Sequence, residues 1–378
     1  MNSDEARRGR AWTELDMGAL SHNVAALNSL LPRGCRLMPA VKGNAYGHGA
    51  AAVARELNEL GVTAFCVAAA AEGAELRQNG VKGTILVLGY TPPELMNLLY
   101  RFDLIQTVVD YDYACTLNAY GQKLRVHVGI DTGMHRLGER CEDIDRLCGM
   151  FSMKNLSVEG AYTHLCADDS RDKPQMDFTY LQAKRFDKAL EELKERGCVC
   201  PKKHLLSSYG LINYPELGGD YARVGIALYG TLSTKEDNEK CPVELRPALS
   251  MKTRVSSVRT LHPGEGAGYG LSFIAERETV IAALSVGYAD GLPRALSDGV
   301  GSVLINGCRA KIVGKICMDQ TLVDATSVND IAQGDTAVIF GSSGDESISV
   351  CDVAEQAGTI ANEILSRLGG RLERYTVK

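Results

Sequence analysis

The chain has 378 residues, 45% of them hydrophobic and 23% charged, with a formal net charge of −6. That length favours two domains over one core, and the composition excludes a disordered protein. The negative balance argues against nucleic acid or an acidic membrane surface as the main partner.

The longest apolar runs, such as AFCVAAAA at 64–71, are too short to span a bilayer. The polar start MNSDEARRGRAW lacks the apolar core of a signal peptide, yet it reads equally well as the cut edge of a longer protein. The expected localisation is therefore cytoplasmic, either alone or as the cytosolic catalytic part of a membrane-anchored protein. Twelve cysteines are scattered, the tightest pair being Cys198 and Cys200, with no C-x-x-C to begin a metal site. Spread thiols of this kind suit a reducing compartment and small apolar core positions.

In chain order, GALSHNVAALNSLL (18–31) reads as an amphipathic helix, followed by a short apolar run, RLMPAV (36–41). The run ends on Lys42, and GNAYGHG follows at once, with three glycines in seven residues. GAAAVARELNEL (49–60) is helical, and further candidate strands fall at 63–68, 84–89, 104–109, 124–130, 158–165, 204–208 and 222–230. The clearest intervening helix is FTYLQAKRFDKALEELKERG (178–197). Eight strands, each with a helix, predict an α/β fold, a (β/α)8 barrel of the TIM type, rather than a doubly wound sheet.

After the charged connector KEDNEKCPVE (235–244) the texture changes to β-branched runs bounded by Gly, Asp and Asn. This predicts a mostly antiparallel β domain over 239–378, after a barrel domain over 1–238 whose first strand, about 10–16, could join the β domain. One late helix is expected at 351–369, stopped by Gly369 and Gly370.

Barrel active sites gather at strand C-termini. Lys42 is at such an end, where desolvation can lower an amine's pKa as Schiff-base chemistry requires. The glycines after it suit close backbone approach to a ligand.

The segment AVKGNAYGHG resembles the pyridoxal-phosphate lysine motif of alanine racemases, which are fold-type III enzymes. The likeness continues through IDTGMHRLG (130–138), YTHLCADD (162–169), ARVGIALYG (222–230), SVGYADGLPR (285–294) and VGKICMDQ (313–320), in order along essentially the whole chain. The resemblance implies a pyridoxal 5'-phosphate enzyme that racemises a small amino acid. Lys42 would hold the cofactor covalently, with Tyr46, Ser208, Gly225 and Ile226 about its phosphate and Arg223 at the pyridine nitrogen. An arginine there cannot give up its proton, so the electron sink is weak and proton return to Cα is favoured over transamination.

The resemblance further implies Lys42 and Tyr269 as the two catalytic bases, with His164 linking Tyr269 to Arg223. Tyr269, Met318 and Asp319 would come from the second subunit of a homodimer with shared sites. Arg136 would bind the substrate carboxylate, and Tyr288, Asp169 and Arg294 would line the entrance.

Two positions depart from the family pattern. Gly129 replaces a lysine that many members carbamylate, so another group must orient Arg136. Asn362 replaces a tyrosine that narrows the pocket beside the substrate side chain. Smaller, and carrying both a donor and an acceptor, it points to serine as a substrate alongside alanine. On this ground the sequence resembles the serine racemase branch associated with vancomycin resistance, which supplies D-amino acids for peptidoglycan precursors. Basic amino-acid decarboxylases of the same barrel class expect an acidic partner for the pyridine nitrogen, against Arg223. A non-catalytic cofactor carrier would not need the β domain with Tyr269.

Overall fold

The computed structural model describes residues 8–377, so the first seven residues of the polar N-terminal stretch lie outside the described residues. Six parallel strands stand side by side in sequence order: Ala64–Val67, Thr84–Val87, Ile105–Val108, Leu124–Asp131, Leu156–Tyr162 and Lys203–His204. Two more, Arg36–Leu37 and Tyr221–Ala222, pair in parallel with each other.

The joins between these two groups are carried by a few backbone bonds. Cys66 N–H donates to Pro39 O and Val41 N–H to Cys66 O on one side (both 2.8 Å), and Asp220 N–H donates to Lys203 O at 2.7 Å on the other. The expected eight-stranded barrel therefore closes. Both faces of its strands are buried, as parallel sheets require. Met38, Ala40, Ala64, Cys66, Leu86 and Ile105 fill an inner cluster, while neighbours such as Phe65, Ile85 and Val87 pack in the larger outer core.

Two strand readings change. The run 222–230 is not one strand. It ends at Ala222, turns at Gly225 (φ −115°, ψ −99°) and continues as a 3-10 helix, Ile226–Tyr229. Arg223 thus sits just beyond a strand end rather than inside one. Likewise 204–208 is a strand only at Lys203–His204, and Ser208 opens a helix, Ser208–Asn213, capped by the Ser207 side chain.

The second part of the chain is built around Leu249–Leu261, a 13-residue strand that pairs antiparallel with Ala11–Asp16, Thr279–Leu284 and Thr336–Ser343. The pairing continues through Thr321–Asp324, Cys308–Val313 and Ser302–Ile305 back to Thr336–Ser343, so these strands form a closed ring. Ala11–Asp16 also pairs in parallel with Glu373–Val377, tying both ends of the chain to this sheet. The single helix expected at 351–369 is two, Val350–Ala357 and Ala361–Ser366. Gly358, at φ 71°, ends the first as a left-handed cap. No helix among the described residues is long and apolar enough to cross a membrane.

The residues after Lys42 form one left-handed helical turn. Gly43, Asn44, Ala45, Tyr46 and Gly47 all have positive φ, between 50° and 81°. Each non-glycine there costs about 1–2 kcal/mol, so the turn persists only because its surroundings fix it. Glu72 is one fixture. Its Oε1 accepts from Gly43 N (2.8 Å) while Oε2 accepts from Ala68 N (2.7 Å) and Ala69 N (3.2 Å). The β domain is the other, with Arg374 Nε donating to Gly47 O at 2.9 Å.

A Cβ at Gly47 would lie 2.2 Å from Leu365 O, a backbone atom of the last helix. Gly47→Ala combines this clash with positive-φ strain, so we expect a loss of about 2 kcal/mol or more. The measurement is a urea midpoint; Gly61→Ala, at φ 84° with nothing near its Cβ, carries the backbone strain alone, and a Gly47→Ala loss no larger than that one contradicts the close-approach account.

Candidate active site

A cavity of about 350 Å³ opens at the C-terminal end of the barrel strands. Lys42 enters it from the left-handed turn, Arg136 from the loop after Leu124–Asp131, His164 from beyond Leu156–Tyr162, and Ser208 and Arg223 from the last two strand ends. Tyr46, Gly129, Gly225, Ile226 and Asn362 also line it.

Arg223 dominates the electrostatics. It is only 6% exposed and has no carboxylate partner among the described residues. Nη1 donates to His204 Nδ1 (2.6 Å); Nη2 donates to Thr163 O (2.7 Å) and His164 Nδ1 (3.3 Å). Its guanidinium lies 4.8 Å from the centre of the Tyr162 ring. Burial pulls its pKa down, but from a value so high that it stays charged.

A guanidinium can only donate, so both histidine tautomers follow. His204 must offer a lone pair at Nδ1 and carry its proton on Nε2, which it gives to His127 Nδ1 at 2.8 Å. His164 likewise keeps its proton on Nε2. Burial, reinforced by Arg223, holds His164 down to about 3. Burial and the neighbouring Arg125 do the same for His127, also to about 3, and His204 lies well below its ordinary value.

Lys42 is half-buried, and its amine is lowered first by burial and then by Arg136. Arg136 has no ion-pair partner among the described residues. Gly129 leaves no side chain to orient it. A Cβ there would sit 3.1 Å from Val108 O and 3.4 Å from Gly138 Cα.

The opposite wall has the features of an anion cradle. Ser208 Oγ accepts from Gly225 N (2.8 Å) and Ala227 N (3.3 Å), which leaves its own proton free to donate. A Cβ on Gly225 would fall 2.7 Å from Tyr46 Oη, so only glycine leaves that space open. Asn362 Oδ1 is buried in the wall with no hydrogen-bond partner. A lowered amine, an arginine on each side and a hydroxyl-and-amide cradle fit pyridoxal 5'-phosphate.

The remaining residues singled out from the sequence do not line this cavity. Tyr269 is 70% exposed on the β domain, and Met318 and Tyr288 are also exposed there. Asp319 is ion-paired to Arg371 (2.7 Å), and Asp169 and Arg294 lie outside the cavity wall. Sequence reasoning missed His204, His127, Tyr162 and Glu72. His204, a lone histidine opening HLLSS, was the one available signal.

A closed barrel with an amine and a buried arginine at its mouth is the arrangement of the fold-type III class of pyridoxal-phosphate proteins. Residues 15–233 match the family description "Alanine racemase, N-terminal domain" and residues 248–376 match "Alanine racemase, C-terminal domain". The chain belongs to the alanine racemase family, whose proteins depend on pyridoxal phosphate.

An alanine racemase of Desulfosudis oleivorans is 39% identical over 379 residues, with 96% of each chain covered. An Enterococcus faecalis protein named amino-acid racemase is 42% identical over 363 residues, 96% of this chain; the chain spans about half that relative's length, 51%. The solved alanine racemase of Clostridium difficile 630 superposes with a TM-score of 0.91 at 33% identity, covering 98% of this chain and 96% of that one.

The buried histidines make a pH prediction. His48 is held down to about 4 by burial, a smaller depression than that of His127 and His164. An unfolded histidine titrates near ~6.5, so between about pH 6.5 and 4 the unfolded state binds more protons. Stability must then fall on acidification, by up to ~1.4 kcal/mol per pH unit for each such histidine. Urea midpoints at pH 7.5, 6.5 and 5.5 should decline below the middle value; a flat profile would contradict neutral buried imidazoles.

Proposed function

We propose that the chain is a pyridoxal-phosphate-dependent racemase of small amino acids that takes serine as well as alanine, working as a homodimer with shared sites. The observation that carries the reading is Arg223, a buried charge facing the cavity with neutral partners only. Bound in the cavity, pyridoxal phosphate supplies an aldehyde for an amine and a ring that draws electrons from the carbon bearing the α-proton.

The chain's own residues do the rest. Lys42 Nζ, its proton affinity lowered by burial and two arginines, takes or returns the Cα proton on one face. Tyr269 is the base for the other face. Its exposure, and its absence from its own chain's cavity, support delivery into a partner's site together with Met318 and Asp319. His164 Nε2–H is then the donor that stabilises an ionised tyrosine oxygen, since its Nδ1 already accepts from Arg223. Arg136 takes the substrate carboxylate; Tyr46, Ser208, Gly225 and Ile226 take the phosphate; Tyr288, Asp169 and Arg294 stand at the entrance. The D-amino acid formed is of the kind used in peptidoglycan precursors.

Serine enters through Asn362. A buried amide oxygen without a partner is unfavourable, about 1–3 kcal/mol in the apolar limit, and a substrate hydroxyl would satisfy it. Alanine leaves it unmet but still fits. Asn362→Tyr fills that space, so efficiency on serine should fall relative to alanine by about tenfold or more. Chiral assay of both amino acids measures it. An unchanged ratio would remove the support for serine and leave alanine alone.

A further inference from the structure

We infer that Asp290 is the positioning residue for the loops that the β domain presents to the neighbouring subunit's cavity. The inference rests on the shared-site reading above. Asp290, in SVGYADGLPR, has a side chain with no exposure at all, and carries two arginines. Oδ1 accepts from Arg10 Nη2 (2.6 Å) and from Arg371 Nη2 (3.1 Å) and Nε (3.2 Å). Oδ2 accepts from Arg10 Nη1 (3.1 Å) and from Gly287 N (3.0 Å).

Each contact leads to a loop of interest. Arg10 Nη1 also donates to Ser285 O at 2.6 Å, fixing the approach to Tyr288. Arg371 Nη1 reaches Asp319 Oδ1 at 2.7 Å, so one arginine clamps both carboxylates. The two loops are zipped together by backbone, Tyr288 N–H to Cys317 O (3.0 Å) and Ala289 N–H to Met318 O (3.1 Å). The fit is close, since a Cβ at Gly287 would lie 2.3 Å from Cys317 O and 2.4 Å from Met318 O.

Tyr288, Met318 and Asp319 are themselves exposed or loop-borne, with no core of their own to hold them. A buried carboxylate fixing two guanidiniums and an amide supplies the rigidity they lack. Neither arginine can lose its proton, so an amide in place of Asp290 leaves the clamp charged and unbalanced.

Asp290→Asn should keep its cofactor absorbance, because no residue of the cavity is touched. Its kcat/KM should fall roughly tenfold to a hundredfold, the scale of a misplacement near 1 Å, with KM carrying more of the loss than kcat. The informative measurement is mixing of subunits. With Lys42→Ala, whose β domain is intact, Asp290→Asn should regain activity, because one hybrid site is whole. With Tyr269→Phe it should not, because both defects lie on the donated face and each hybrid site keeps one.

Recovery in the second mixture, or full activity of Asp290→Asn alone, overturns the inference. The pair Lys42→Ala with Tyr269→Phe is the control: no recovery there despite subunit exchange defeats the shared-site reading itself. If Asp290→Asn does not fold, Arg371→Gln, which removes the bonds of Arg371 to both Asp290 and Asp319 and leaves Arg10 in place, must show the same mixing pattern, and the opposite pattern overturns the inference.

Discussion

The site is organised by a permanent charge that has been buried without a counter-ion among the described residues. Arg223 has two imidazoles and two backbone carbonyls about it, all neutral acceptors, and an aromatic face beneath. A carboxylate would have neutralised it only by burying a second charge, with its own desolvation penalty, and would have brought a titratable group into the cavity. Because arginine only donates, its bonds dictate the protonation of His204, His127 and His164 in turn. The same positive field, with Arg136, acts on Lys42. One residue thus sets the proton inventory of the whole barrel mouth.

The second constraint is backbone strain at the lysine. A left-handed turn aims Lys42 into the cavity from a segment pinned by Glu72 on the barrel side and by Arg374 and Leu365 on the β-domain side. The lysine's placement therefore depends on both parts of the chain. The Asn and Gly of GNAYG are there because few other residues tolerate positive φ, a reason separate from ligand approach.

Much of the fold was legible in the sequence. The barrel strands announce themselves because most, such as Ala64–Val67 and Thr84–Val87, are buried on both faces and so read as short apolar runs. What escaped were breaks inside apolar runs. ARVGIALYG stays hydrophobic across its turn, and its helical half is buried as fully as its strand half, so hydropathy does not change at Gly225. In the last helix, Gly358 alone marks a break that Thr359 and Ile360 do not otherwise signal. At the site, Lys42, Arg136, His164, Ser208, Arg223 and Asn362 converge on one cavity, whereas Tyr269, Met318 and Tyr288 remain outside it, which no single-chain pattern can resolve. Tyr162 was invisible, and His204 was visible only as a lone histidine, because their part is defined by what they do for Arg223, a relation of space rather than spacing.

The central claim is that this environment makes Lys42, out of all the chain's lysines, the amine that takes the cofactor. Borohydride reduction of the cofactor-loaded protein, followed by digestion and mass spectrometry, tests it directly. The account predicts a phosphopyridoxyl mass on the peptide carrying Lys42 and on no other lysine. A modification placed elsewhere, on Lys315 beside the Tyr269 loop for instance, or an active enzyme with Lys42 unmodified, would contradict it.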